Sequence, residues 1–184
     1  MIFQETVLKG SFIIDTESYE DERGSFARTY CQKEFQAQGI VDGMVQANMS
    51  TNKAKGTLRG LHYQIDPYQE GKLVRCIKGA LYDVIVDLRP DSPTYGQWIG
   101  VELTEENQRS LFVPKDFAHG FVTLVAETTA FYLTSEFYSP GAESGIRWND
   151  PGLGIEWPIT PQSLSDKDSN WEDFILKGKG RDGR

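Results

Sequence analysis

No apolar run in this 184-residue sequence approaches the ~18 residues that a helix needs to cross a bilayer. The opening MIFQETVLKG has neither the basic nor the apolar region of a secretory leader. A soluble, cytoplasmic protein is therefore expected, with no membrane partner. Cysteine is scarce as well: Cys31 and Cys76 lie far apart and lack CxxC spacing, which argues against a disulfide framework and a zinc knuckle and favours reduced thiols. Long basic runs are missing, and 19 Lys and Arg against 27 Asp and Glu leave a net charge of −8. That balance carries no nucleic-acid footprint. An anionic ligand would have to be held by a few local Arg and Lys against the overall field. Histidine is as rare as cysteine, present only as His62 and His119.

What is present is β-pattern. In ALYDVIVDLRP, Tyr82, Val84, Val86 and Leu88 alternate with Asp83, Ile85 and Asp87. In TTAFYLTSEFY, Phe131, Leu133 and Phe137 oppose Tyr132, Thr134, Glu136 and Tyr138. Such period-2 runs predict strands with one apolar and one polar face. Turn signals separate them: KG at 78–79, RPDSPTYG at 89–96, SPG at 139–141 and NDPG at 149–152. The expected architecture is a mainly β antiparallel sandwich or barrel in one domain over 1–184, large enough to bury roughly 70% of its unfolded surface. Helical spacing is confined to CQKEFQAQG, ended by Gly39, to TEENQRS with Thr104 as N-cap, and to a turn near SLSDKD. The glycine-rich, charged tail from about residue 177 is expected to be flexible.

Both histidines sit beside turns at the start of strand-like runs, in GTLRGLHYQ and VPKDFAHGF. A catalytic metal needs about three protein ligands. His62 is followed at i+2 by Gln64, a poor ligand, and no acidic residue completes a triad, so no metal is expected. An isolated strand histidine is more often a satisfied structural residue than a reactive one. Here Arg59, His62, Gln64 and Lys72 crowd together, and in VQANMS the residues Gln46, Asn48 and Ser50 share a face opposite Val45, Ala47 and Met49. Polar side chains on the inner face of a barrel strand need a ligand or water to satisfy them. A lined pocket accounts for them; a plain core does not.

The strings DERGSF, GTLRGLHYQ, KLVRCIKGALYDVIVDLRPDSPTYGQW, FVPKDFAHGF, AFYLTSEFYSP, GIRWNDPGLGIEWP and LSDKD, in that order and spacing, resemble the dTDP-4-dehydrorhamnose 3,5-epimerase family over nearly the whole chain. The resemblance implies a cupin-type jelly-roll β-barrel with a few short peripheral helices. It further implies a homodimer, no metal or redox cofactor, and a nucleoside-diphosphate 4-keto-6-deoxyhexose as substrate. His62 matches the catalytic base, Asp168 the carboxylate that orients it, Tyr132 the acid across the sugar ring, and Lys72 the cation near the keto oxygen. His119 matches a second pocket histidine. Arg59 and Arg23 match diphosphate-contacting arginines, Phe26 an aromatic near the nucleotide, and Gln46, Asn48 and Tyr138 pocket residues.

The chemistry suits these residue types on its own terms. A C4 ketone acidifies the protons on C3 and C5, so inversion needs a base, a transient enolate and a proton from the other face. Histidine is a suitable base near neutral pH, and a carboxylate on its second ring nitrogen sets the tautomer. A tyrosine is protonated there, and a lysine can stabilise the enolate oxygen. Taken singly, the bland readings are a solvated tyrosine, a surface lysine and surface arginines; Trp148 and Trp157 are read as packing. One position departs from the family pattern: RGSFARTYC carries Arg28 where many members have a glutamate that the resemblance places near the base. A guanidinium suits the N3 acceptor of cytosine better than the N3 donor of thymine, unless Arg28 turns to solvent or to an acid such as Glu22. The alternatives are a C3-only or C5-only epimerase, a 3,4-ketoisomerase on another sugar nucleotide such as a CDP-linked one, and a non-catalytic sugar-nucleotide binding protein.

Overall fold

The computed structural model describes residues 1–174, so the tail expected to be flexible lies outside the described residues. Thirteen strands run in chain order: β1 Ile2–Glu5, β2 Phe12–Asp15, β3 Ser18–Asp21, β4 Gly24–Ala27, β5 Gln46–Asn52, β6 Leu58–Gln64, β7 Lys72–Lys78, β8 Ala80–Asp87, β9 Trp98–Thr104, β10 Ser110–Val113, β11 Phe117–Thr123, β12 Thr128–Thr134 and β13 Glu143–Gly145. Helices α1, Gln32–Ala37, and α2, Asp166–Ser169, are the short peripheral pieces. A six-stranded sheet, β1-β2-β10-β7-β12-β5, faces a five-stranded sheet, β13-β6-β11-β8-β9, and β3-β4 form a separate hairpin. Every strand pairing is antiparallel. This is the antiparallel sandwich that the strand pattern and turn spacing predicted, in the cupin-type jelly-roll form that the family resemblance implied.

Three apolar clusters hold the layers together. Val74, Cys76, Leu81, Ile85, Val101, Leu111, Phe117 and Phe121 fill the space between the sheets. A second cluster, centred on Phe35 of α1, covers the outer face of the six-stranded sheet against Phe12, Ile14, Leu73 and Phe112. With six residues α1 is too short to stand alone. The fully buried Phe35 anchors it, meeting Tyr30 and Phe3 edge-on at centroid distances of 5.0 and 5.1 Å. Burying such a ring stabilises by about 2–3 kcal/mol. The third cluster, Leu61, Val84, Val86, Ala118, Ile146 and Leu153 with Trp98 and Trp157, covers the other sheet with the C-terminal segment.

Because both faces of the central strands are covered, two sequence expectations need correction. Asp83 and Asp87 of β8 do not mark a solvated face; both are 0% exposed and face inward, while Val84 and Val86 pack outward under the C-terminal segment. The segment from Thr104 forms a single turn and no helix. There Thr104 and Asn107 bond reciprocally, Asn107 N donating to Thr104 Oγ1 at 2.9 Å and Thr104 N to Asn107 Oδ1 at 3.1 Å. That closes the turn locally, and the chain then enters β10. Among the described residues no helix is long and apolar enough to cross a membrane. Cys31 and Cys76 are both free, and burial pushes the Cys76 thiol up to about 11.

Candidate active site

Beside the central core, between the same two sheets, the inward-facing residues turn polar and line a cavity of about 620 Å³. A second hollow of about 320 Å³ shares His62, Lys72, Tyr132, Tyr138 and Glu143 with it. His62 and Arg59 come from β6, and His62 lies well inside the strand rather than at its start. Three residues apart, they should face opposite sides of a regular strand. The pairing with β11 shows how they come to share one. His119 faces His62, but Phe121 faces Arg59, so the register slips by one residue at Gly60 and Gly120. Gly60 has φ +118°, and a Cβ on it would lie 2.5 Å from Gly120 Cα and 2.7 Å from the His119 carbonyl oxygen. Only glycine fits there. The glycine in LRGLH thus resets the side-chain parity and brings the arginine into the cavity with the histidine.

Asp168 reaches His62 from a different part of the chain. Ser165 caps α2, its Oγ accepting from Asp168 N at 3.0 Å. This places the Asp168 carboxylate 2.5 Å from His62 Nε2. Asp168 is 4% exposed, and burial by itself would raise its carboxyl. The bond and charge of His62, with Ser165 and the Gly60 N–H, outweigh that and hold it below the usual carboxylate value. With Nε2 committed to Asp168, Nδ1 is the ring nitrogen left for chemistry; it makes no hydrogen bond among the described residues.

The facing wall belongs to the six-stranded sheet. Tyr132 stands in a row with Asn48 and Val74, and Lys72 in a row with Thr134 and Gln46, all directed inward. Burial, then Glu70 and Glu143, push the Tyr132 phenol above its ordinary value, with Arg59 opposing, so Tyr132 is protonated at neutral pH. Lys72, 8% exposed, is paired with Glu70 at 3.1 Å. Gln46 donates to Asn48 Oδ1 at 3.0 Å and accepts from Tyr138 N at 3.3 Å. His119 is buried beside His62, its Nε2 2.7 Å from Asp83 Oδ1. Arg59 donates to Asn52 Oδ1 at 2.8 Å and has no carboxylate partner among the described residues.

Nine of the twelve predicted site residues therefore surround the two joined hollows, while Arg23, Phe26 and Arg28 do not. Arg23 and Phe26 stand on the β3–β4 hairpin with its exposed Tyr19, and Arg23 is clamped by Asp21. Arg28 pairs at 2.8 Å with Glu34 of α1, and not with Glu22. Sequence reasoning passed over Glu70, Asp83, Glu143 and Lys167. Glu143 accepts from Tyr138 Oη at 2.7 Å and from Lys167 Nζ at 2.5 Å, joining the loop after β12 to α2. Asp83 did leave a signal, an acid alternating with Ile85 in a strand. Glu143 left none, because β13 is too short to show a period. Gln64, considered as a ligand and set aside, is structural: it is 3% exposed and binds Tyr68, Phe137 and Ser139 backbone atoms.

No cluster of three or more His, Cys, Asp or Glu side chains suited to a metal ion occurs among the described residues. The site is a polar cavity with a histidine–carboxylate pair on one wall and a protonated tyrosine with a lysine on the other. Several known proteins share its frame. The chain is 47% identical over 171 residues to dTDP-4-dehydrorhamnose 3,5-epimerase of Shigella flexneri, covering 92% of this chain and 94% of that one. It superimposes with a TM-score of 0.91 on dTDP-4-dehydrorhamnose 3,5-epimerase from Bacillus anthracis with TDP and PPi bound, at 43% identity over 94% of this chain and 99% of that one. A dTDP-6-deoxy-D-glucose-3,5-epimerase from Legionella pneumophila, in complex with dTDP-4-keto-L-rhamnose, gives 0.86 at 43% identity, covering 91% and 89%. The sequence profile of the dTDP-4-dehydrorhamnose 3,5-epimerases matches residues 5–175, and the chain belongs to that family.

Proposed function

We propose that this chain is an epimerase that inverts C3 and C5 of dTDP-4-dehydro-6-deoxyglucose, giving dTDP-4-dehydrorhamnose through an enolate and without a cofactor. One observation carries the mechanism: His62, held by Asp168 of α2, and Tyr132 stand on opposite sheets, and all three line one cavity. His62 Nδ1 removes the proton from the carbon beside the ketone, and the electron pair moves onto the C4 oxygen. Asp168 keeps Nε2 protonated and stabilises the imidazolium. Lys72 offsets the charge on the enolate oxygen. Tyr132 then delivers a proton to the face of the carbon that His62 does not reach; His62 loses its proton to solvent and the phenolate regains one. His119, held by Asp83, adds a donor beside the base, and Gln46, Asn48 and Tyr138 take sugar hydroxyls.

Arg59, without a carboxylate partner among the described residues, is the group in this cavity suited to the diphosphate. Arg23 and Phe26 project on a hairpin away from their own cavity. In the homodimer that forms part of this reading, they serve the nucleotide of the partner subunit's site. Arg28, held by Glu34, leaves the base to other groups, which favours thymine as the family resemblance does. A cytoplasmic setting fits the two free cysteines.

The test is deuterium incorporation from D₂O into dTDP-4-dehydro-6-deoxyglucose, followed by NMR at C3 and C5. The wild type exchanges both positions and His62→Asn exchanges neither. Exchange at one carbon alone would make the chain a single-centre epimerase, and a migrated carbonyl would make it a ketoisomerase. Binding without any exchange would leave it a binding protein.

A further inference from the structure

Trp171 stands just past α2 and is absent from the family-based assignment of roles. Its indole meets the His62 imidazole near edge-on, with centroids 6.2 Å apart and planes at 69°. Lys167 Nζ lies 5.4 Å from the indole centroid on its way to Glu143. Across the β13–β6 pair, the residue facing His62 is Gly145. Facing residues in a sheet project from the same side, so a side chain at position 145 would stand next to the imidazole. A Cβ there would lie 2.3 Å from the indole. The indole, arriving from the C-terminal segment, occupies the place in the row that glycine leaves empty; His119 fills the place on the other flank.

Two further facts define what the indole does. Its Nε1 is buried without a hydrogen-bond partner among the described residues, so the ring is held there by packing and by its contact with Lys167. It lines neither hollow, so it reaches a substrate only through its neighbours.

We propose that Trp171 is a positioning residue for the base: seated over Gly145, its indole restricts rotation of the His62 ring so that the nitrogen not bound to Asp168 stays aimed into the cavity. Asp168 fixes one atom of the imidazole, and a single bond still permits swinging about it. The indole on one flank and His119 on the other remove that freedom. Through its contact with Lys167 the same ring steadies the Lys167–Glu143–Tyr138 chain that lines the cavity. The inference rests on the reading of His62 as the base.

The experiment compares Trp171→Ala, Trp171→Phe, Gly145→Ala and the double variant Gly145→Ala/Trp171→Ala in the epimerase assay, with His62→Asn as control. Misplacing a catalytic group by about 1 Å costs up to ~100-fold in rate. Trp171→Ala is therefore expected to lower kcat by ~10- to 100-fold with KM within ~2-fold, and Trp171→Phe to recover most of the loss. Gly145 has no positive φ, so alanine is tolerated by the backbone there. Its added Cβ displaces the indole, and Gly145→Ala should lower kcat similarly while adding nothing in the Trp171→Ala background. Residues that act through one contact are non-additive in this way. The chain has two histidines, so its imidazole NMR signals are assigned by His62→Asn; the His62 signals should move in Trp171→Ala and return in Trp171→Phe. A folded Trp171→Ala with wild-type kcat, a change in KM alone, or an equal Gly145→Ala effect with and without Trp171 would each overturn the proposal. If Trp171→Ala does not fold, a wild-type kcat in Gly145→Ala overturns it, and a lowered kcat with moved His62 signals supports it. Should His62→Asn retain exchange, the base assignment itself fails, an outcome distinct from all of these.

Discussion

At the scale of single residues, two proton-carrying groups divide the work by their surroundings. His62 has a carboxylate on one ring nitrogen and a cavity on the other side, whereas Tyr132 is kept protonated by burial and by nearby Glu70 and Glu143. Tyr132→Phe is expected to retain proton removal and lose delivery. Deuterium should still wash into the substrate with retention of configuration, while inverted product falls by ~100-fold or more, on the scale of general acid catalysis. Equal loss of exchange and inversion in the NMR assay would give Tyr132 a binding role instead. For Arg28 the expectation is silence. Its pairing with Glu34 holds it on the α1 side, so Arg28→Glu should leave the ratio of dissociation constants for dTDP and CDP within about 2-fold. These residue types were legible in sequence, because their order along the chain matched the family. Their ionic partners were less so: Glu143 meets Lys167 only because β13 and α2 meet in space.

At the scale of elements, β6 and β8 place the chemistry. The slip at Gly60 turns Arg59 and His62 to the same side, and a methyl group there meets Gly120 backbone. Gly60→Ala should both strain φ and force β6 from β11, with a loss of ~3 kcal/mol or more, seen as a clear drop in Tm, and with activity largely abolished. A Tm and rate unchanged from the wild type would contradict the bulge as the device that aligns the site. At the end of β8, Asp87 secures the loop to β9. Burial alone would raise its carboxyl, but Arg89, Ser92 and Thr94 donate to it and hold it at about 2. The unfolded value is about 3.9. Its folded pKa being the lower one, Asp87 contributes stability that is fully present above ~pH 4 and lost as pH falls through ~2. The shift of about two pKa units corresponds to on the order of 2–3 kcal/mol. Asp87→Asn should lose about that amount at pH 7, and urea unfolding should show the gap to the wild type narrowing from pH 4 to pH 2. A gap that stays constant with pH would assign the effect to packing.

For the whole molecule, the proposed dimer explains why β3–β4 is built as an exposed hairpin. Tyr19 is 76% and Phe26 73% exposed, rings that a free surface seldom displays side by side. Light scattering at micromolar concentration should give twice the chain mass. Complementation tests the site-sharing directly. A chain carrying His62→Asn and a chain carrying Arg23→Ala with Phe26→Ala should each be weak alone, and should recover activity when unfolded together and refolded. Recovery arises because half of the sites in a mixed dimer combine an intact base with an intact hairpin. No recovery on mixing, with dimers confirmed, would confine each site to one chain.

The local sequence by itself determined the strand alternation, the turns, the end of α1 at Gly39 and the polar inner face of β5, because these follow from side-chain period and backbone sterics within a few residues. The identity of the reactive residues was readable too, through their order and spacing over the whole chain. Only the tertiary structure decided which faces are buried. Asp83 and Asp87 look like solvated residues in a period-2 run, yet a second covering layer turns them inward. It also supplied the geometry by which His62 meets Asp168, 106 residues away, a pairing that only the whole-chain resemblance had implied, and it placed an indole from beyond α2 beside Gly145. Contacts of that kind depend on how sheets stack and where the chain end docks, and no local pattern encodes them.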